Sequence, residues 1–307
     1  MLSKTDIQNE LGKGICVYPL NLTNIKENSL NLCAGDYAWS SDGGVVYCDE
    51  NEPDKNKRFS LSKDSNHCKE IKIAEKGKAI IESSTGDKYI LLFPQSTTLI
   101  ETAEVLAIGN NIGGTYHSKV GLVSKGLGHI GTMVGPNFSG DSLIAIHNIS
   151  KNLIVLKSGE SFVSVIFYHL KTKYTKSNPT VSGHVDKFAE LGIQLSQDES
   201  SILNADWKKQ YDSVKMKMCE SSEYKKLRKI IKLQKKNSIK KFFNKQNVFI
   251  TVVMIAVIVF LGVLAHNTDV KNGTTTWGDR FWNVFCSGLA LSIISPIILW
   301  MNNNTID

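Results

Sequence analysis

Apolar positions in residues 1–175 come in short runs separated by Gly and Asn. Examples are Tyr89-Ile90-Leu91-Leu92-Phe93, Ser142-Leu143-Ile144-Ala145-Ile146 and Phe162-Val163-Ser164-Val165-Ile166-Phe167. Runs of this length, rich in branched and aromatic residues and bounded by turn formers, predict strands, so this region reads as all-β. Within it, Asp36 to Asn66 is polar and irregular and reads as an insertion or mobile loop. From about Val185 to Phe243 the period changes. Trp207, Tyr211, Val214 and Met218 recur at helical spacing, a face of the kind that seeds coiled coils. Leu227, Ile230, Ile231 and Leu233 extend the stripe. Two arrangements fit: a stalk over 185–246, or helices packed back onto the β region.

The C-terminal part is apolar on every face. Val248 to Ala265 and Val284 to Met301 carry no charge. At a rise of about 1.5 Å per residue, each nearly covers a bilayer's hydrocarbon core. The connector holds Asp269, Lys271, Asp279 and Arg280, with Trp277 and Trp282 placed like interfacial anchors. The pattern predicts a hairpin of two transmembrane helices within 247–301. In the second, Gly288, Ser292 and Ser295 share a helical face, and Pro296 removes the backbone bond to Ser292. Such a face either packs helices closely or lines an aqueous path.

Charge sets the orientation. The net charge is +7, yet ten Lys or Arg and no acid fall between Lys225 and Lys245, leaving −3 for the rest. This collar abuts the first span, so the positive-inside rule puts residues 1–247 in the cytoplasm, with the protein in the cytoplasmic membrane. Anionic lipid is its expected partner. Nucleic acid is not, because aromatic residues do not interleave the basic run as a stacking platform requires: Phe242 and Phe243 sit together at its end. With 42% hydrophobic and 21% charged residues, wholesale disorder is excluded. The six cysteines form no C-x-x-C pair, and His67-Cys68 near Cys48 lacks zinc-ligand spacing.

Several segments of residues 1–170 then fall in a familiar order. They are Leu2-Ser3, Asp6-Ile7, Tyr18-Pro19, Ser29-Leu30-Asn31-Leu32 with Gly35, Phe93-Pro94 and Thr98 to Thr102. His117-Ser118-Lys119 follows, and then Gly135-Pro136-Asn137-Phe138-Ser139-Gly140 and Asn148. In order and spacing the chain resembles the dCTP deaminase/dUTPase superfamily, as a degenerate member. The resemblance implies a distorted jelly-roll barrel over 1–175, assembly as a homotrimer, and nucleotide sites between neighbouring subunits. It places phosphates on His117, Ser118 and Lys119, where the family has R-S-S. It places base and sugar on Val134, Gly135 and Phe138, where the family has its D-P-G hairpin.

The departures decide the expected chemistry. The aspartate that activates water in dUTPases is Gly135 here, and the deaminases' general acid/base falls at Ala145. The early aspartate is Asn31, and the arginine expected after R-S-S is Leu122. Hydrolysis or deamination needs a base to take a proton from water, and neither Gly135 nor Ala145 has an atom that can do so. His129 and His147 lie near in sequence as substitutes. Binding survives these losses. Ser118 offers a hydroxyl, Lys119 a charge and Phe138 a flat face, while Gly113-Gly114 and Gly126 to Gly131 allow close backbone approach. The reading is a non-catalytic sensor of a nucleotide or cyclic nucleotide, with the spans as effector, a layout similar to membrane-disrupting proteins of bacterial antiviral defence. No cofactor is expected beyond Mg²⁺ accompanying a nucleotide. The alternatives are a membrane-tethered deaminase or pyrophosphatase, and a scaffold trimer that binds a protein partner.

Overall fold

The computed structural model describes residues 1–63, 67–128, 131–175 and 185–242. The chain divides into two units, Met1–Lys229 and Ile230–Asp307. The first is mainly β. Helix α1 (Lys4–Glu10) leads into β1 (Ile15–Tyr18), β2 (Leu30–Ser40) and β3 (Gly44–Cys48). Helix α2 (Lys55–Arg58) precedes β4 (Phe59–Ser60), β5 (Lys69–Ile73), β6 (Gly77–Lys78), β7 (Ile80–Glu82), β8 (Lys88–Leu92), β9 (Ser96–Ile108) and β10 (Ile112–Ser118). After α3 (Val120–Val123) come β11 (Leu127–Gly128), β12 (Met133–Val134), β13 (Ser139–Asn148), β14 (Ile154–Lys157) and β15 (Ser161–His169). The helices α4 (Val185–Glu190), α5 (Gln197–Leu203), α6 (Tyr211–Glu220) and α7 (Ser222–Phe242) follow, with a 3₁₀ turn, Asp206–Lys209, before α6.

Nine strands form one curled sheet along the path β11-β13-β9-β2-β15-β10-β12, with β1 added on β9 and β6 on β2. Strand β9 lies at its centre, paired with β13, β2 and β1. The register of β2 on β9 slips between Ala34 and Ala38. Gly35 sits in that slip, where a Cβ would come 2.9 Å from the Glu101 carbonyl oxygen. Only glycine allows the two strands to approach so closely. At the N-terminus, Ser3 and Asp6 cap α1 reciprocally, and Leu2 N–H donates to the Phe167 carbonyl, bringing Ile7 into the core.

The segment expected to be an irregular insertion is instead ordered into a small β lobe over its described residues. Strands β4-β3-β5 form one sheet and β14-β8-β7 another. Val46, Cys48, Phe59, Tyr89, Leu91, Phe93 and Val155 share their core. The Arg58 guanidinium donates to the Tyr89 hydroxyl at 2.9 Å and lies over its ring. Most of the sparse apolar positions turn inward, with Val45 and Leu61 left exposed among the polar majority.

Of the two arrangements open for the helical stretch, the structure has the second through residue 229. Phe188, Ile193 and Leu203 pack on Trp39 of β2. Trp39 Nε1–H donates to Glu199 at 3.2 Å. Val214 and Met218 are fully buried, and the Met218 sulfur accepts the Val17 N–H of β1. A helical apolar face therefore pairs with a sheet. Within the second unit, the remainder of α7 exposes Ile230 and Leu233 among Lys232, Lys235 and Lys236. Among the described residues no helix is long and apolar enough to cross a membrane. The predicted spans, with Gly288, Ser292, Ser295 and Pro296, lie outside the described residues.

Candidate functional site

His117 and Ser118 end β10, and Lys119 caps the short helix α3. The exposed His117 ring turns back onto its own strand, with Nε2 2.8 Å from Thr115 Oγ1. Lys119 is half-buried and donates to Ser161 Oγ at 2.9 Å. Burial, followed by the charge of nearby Lys26, pulls the Lys119 ammonium below its ordinary pKa. Among the described residues Lys119 makes no ion pair. Ser161 pairs in register with Cys33 of β2. Glu104 accepts the Cys33 N–H at 2.8 Å and the Asn24 side-chain amide at 3.3 Å. Burial pushes the Cys33 thiol up to about 11, helped by the Glu104 charge, so it stays protonated.

The second predicted segment is a turn. Phe138 N–H donates to the Gly135 carbonyl at 3.3 Å, with Asn137 in the left-handed region. Val134 and Phe138 are buried, and the Phe138 carbonyl accepts from Ile108 N–H. A Cβ on Gly135 would meet nothing within 4 Å, so the missing carboxylate does not reflect lack of room.

One chain does not bring the two segments together. Gly114 pairs with Val134 and Thr115 with Met133, and Tyr116 N–H donates to the Thr132 carbonyl. From this register the turn runs toward Gly109, whose carbonyl accepts from Asn137, while His117–Lys119 runs the opposite way. At about 3.3 Å per residue, Lys119 and Gly135 are separated by roughly 20 Å along β10.

Other expectations also change. Gly114 serves strand packing, because a Cβ there would come 2.8 Å from the Ile166 carbonyl. Gly126 forms a turn at positive φ, and Gly128 pairs with His147. His147 lies at the far end of β13 from the turn, bonded to Thr97 Oγ1 at 2.8 Å. His129 is outside the described residues. Asn31 accepts from Ser164 Oγ at 2.7 Å, so its side chain is engaged within the sheet.

Sequence reasoning missed a buried polar cluster. Lys208 Nζ donates to Glu101 of β9 at 2.9 Å and to Asp141 of β13 at 2.6 Å. Ser139 Oγ donates to the Lys208 carbonyl at 2.7 Å. Burial, then hydrogen bonding and charge from Asp141, raises the Glu101 carboxyl, while the two carboxyl groups raise Lys208 against its burial. The partners lie 107 and 67 residues from Lys208, a separation that no local pattern signals. Among the described residues, no three His, Cys, Asp or Glu cluster as a metal site.

No protein-family model matches this sequence, and no curated protein matches it. Solved structures of similar fold include 2′-deoxycytidine 5′-triphosphate deaminase from Agrobacterium tumefaciens, at TM-score 0.35 and 13% identity over 54% of this chain. A mutant dUTPase from phage phi11 of S. aureus follows at TM-score 0.26 and 17% identity, over 29% of this chain and 76% of its own. The EIAV dUTPase is similar at TM-score 0.26 and 19% identity, over 33% of this chain and 92% of its own. The chain spans about half the length of the deaminase, 46%. The solved structures that this chain resembles are thus a dCTP deaminase and dUTPases, in partial overlap.

Proposed function

We propose that this chain is a membrane-anchored, non-catalytic nucleotide sensor with a dUTPase-like jelly-roll barrel, assembled as a homotrimer. The observation that carries the reading is Lys119: a half-buried ammonium beside Lys26, held by Ser161, with no ion-pair partner among the described residues. A lysine has three donors, and one is used on Ser161. A phosphate would take the others and supply the missing countercharge. Neither Gly135 nor Ala145 supplies a base to activate water, which favours binding over turnover. Any Mg²⁺ would arrive on the nucleotide. The basic run from Lys225 and the apolar runs 248–265 and 284–301 favour attachment to an anionic cytoplasmic leaflet, with membrane disruption in antiviral defence as the output.

The test is full-length protein with dCTP, dUTP or a cyclic nucleotide, followed for both product formation and melting. At a hundredfold excess over Kd, binding adds about 2.7 kcal/mol, or about 5–10 °C in Tm for a domain of this size. A shift without product is expected. Turnover would make the protein an enzyme, and neither effect would leave a protein-binding scaffold.

A further inference from the structure

We propose that docking of the turn Asp206–Lys209 and occupation of the nucleotide site are coupled through Ser139–Ser142. This regulation rests on the nucleotide reading above. The four residues touch everything the coupling needs. They follow directly on Phe138, the last residue of the candidate base-and-sugar turn. Ser142 Oγ meets the Tyr116 hydroxyl at 2.5 Å, and Tyr116 immediately precedes His117, Ser118 and Lys119. Ser142 N–H donates to Thr102 Oγ1 at 2.9 Å, where the register of β13 on β9 slips between Asp141 and Leu143. On the helical side, Ser139 holds the Lys208 carbonyl and Asp141 holds its ammonium. Ser139, Asp141 and Ser142 are 2%, 3% and 4% exposed, Tyr116 4% and Lys208 8%.

The docking is close to all-or-none. A lysine partly withdrawn would leave Glu101 and Asp141 facing each other, buried, with no cation between them. Packed, bistable contacts of this kind turn a small local shift into a discrete change. The sign follows from order. With Lys208 seated, the start of β13 is fixed, and with it the turn whose Phe138 carbonyl bonds Ile108. Undocking removes the side-chain contacts of Ser139 and Asp141, leaves the segment on its β9 ladder alone, and loosens that turn. The docked form is therefore the pre-organised, tighter-binding form. By linkage a bound nucleotide tightens docking by the same factor.

The experiment uses the full-length protein with dCTP and the non-hydrolysable dUpNHpp as probes. Backbone hydrogen exchange is followed with and without probe, and affinity is measured for Lys208→Met and Ser139→Ala. The second variant removes one hydroxyl and no charge, in case the first fails to fold. Protection is expected over 197–220 as well as at 117–119 and 135–138. Ser139→Ala should weaken binding about five- to tenfold, within the usual range of such couplings. Protection confined to 117–119 and 135–138, with Ser139→Ala affinity unchanged, would overturn the coupling and leave the nucleotide reading standing. No protection by either probe would remove both.

Discussion

Glu101 and Asp141 share a single ammonium in the interior of the first unit. Two carboxylates and one lysine carry a net negative charge, which a dry site tolerates poorly. Burial and the neighbouring Asp141 therefore push Glu101 from its ordinary 4.5 up to about 8, and it holds a proton at neutral pH. The unfolded chain releases that proton near 4.5. Between those pH values the folded state binds more protons than the unfolded state, so stability falls as pH rises through the window. One proton sets a ceiling of about 1.4 kcal/mol per pH unit. Lys208, raised by its partners, keeps its charge throughout. Glu101→Gln imitates the protonated group at the same size. Urea melts of this variant should be nearly flat between pH 5 and 8, and above pH 8 its midpoint should not fall below that of the parent. A slope like the parent's would assign the pH dependence to another group.

At the scale of elements, the helices after residue 185 complete the core rather than decorate it. Phe188, Ile193, Leu203, Val214, Met218 and Leu227 are all buried. At about 1.5–3 kcal/mol for each large apolar side chain, their gross contribution is on the order of 10 kcal/mol, comparable with the net stability of a whole domain. A fragment ending at residue 180 should bind a hydrophobic dye and lack a cooperative melt. A fragment ending at 229 should melt cooperatively. Equal behaviour of the two by calorimetry and near-ultraviolet circular dichroism would refute this role. The helical spacing of Tyr211, Val214 and Met218 is legible in the sequence, and so is the strand character of residues 1–175, but Trp207 falls in the 3₁₀ turn before α6 and not on that helical face. What that helical face touches is not legible, because an apolar stripe of this kind suits a strand as well as another helix. The lobe around Val46 and Phe59 is hard to read in sequence for a related reason: β3, β4 and β5 are five residues or fewer, and few of their positions are buried and apolar. At the candidate site, His117–Lys119 and the Gly135–Phe138 turn stand out only through the family resemblance. Ser161 and Lys26, which give Lys119 its character, carry no local signal because both are brought to it by chain reversal.

For the whole molecule, the separation of the two segments proposed to bind nucleotide is the decisive geometry. A nucleotide that placed its phosphates on Lys119 and its base at the Gly135–Phe138 turn of the same chain would have to span roughly 20 Å of strand. Two chains remove the difficulty: one supplies Lys119 and the next supplies the turn. Val120, Val123 and Met133 are exposed near His117–Lys119 in sequence or strand pairing. Two variants separate the alternatives. Lys119→Glu reverses the charge proposed to hold phosphate, and Gly135→Trp places a bulky ring at the turn, where a Cβ itself meets nothing within 4 Å. Each variant alone should lose nucleotide binding. When the two are co-expressed in equal amounts, shared sites should be intact wherever an unmodified Lys119 meets an unmodified turn, about a quarter of them in a randomly mixed ring. If one chain builds the whole site, every site carries one lesion and titration finds none restored. Recovery of a quarter of the wild-type binding capacity, at wild-type affinity, would place the nucleotide between subunits. Zero recovery from a mixed assembly verified by mass spectrometry would return it to a single chain and require His117–Lys119 and the turn to act on different ligands.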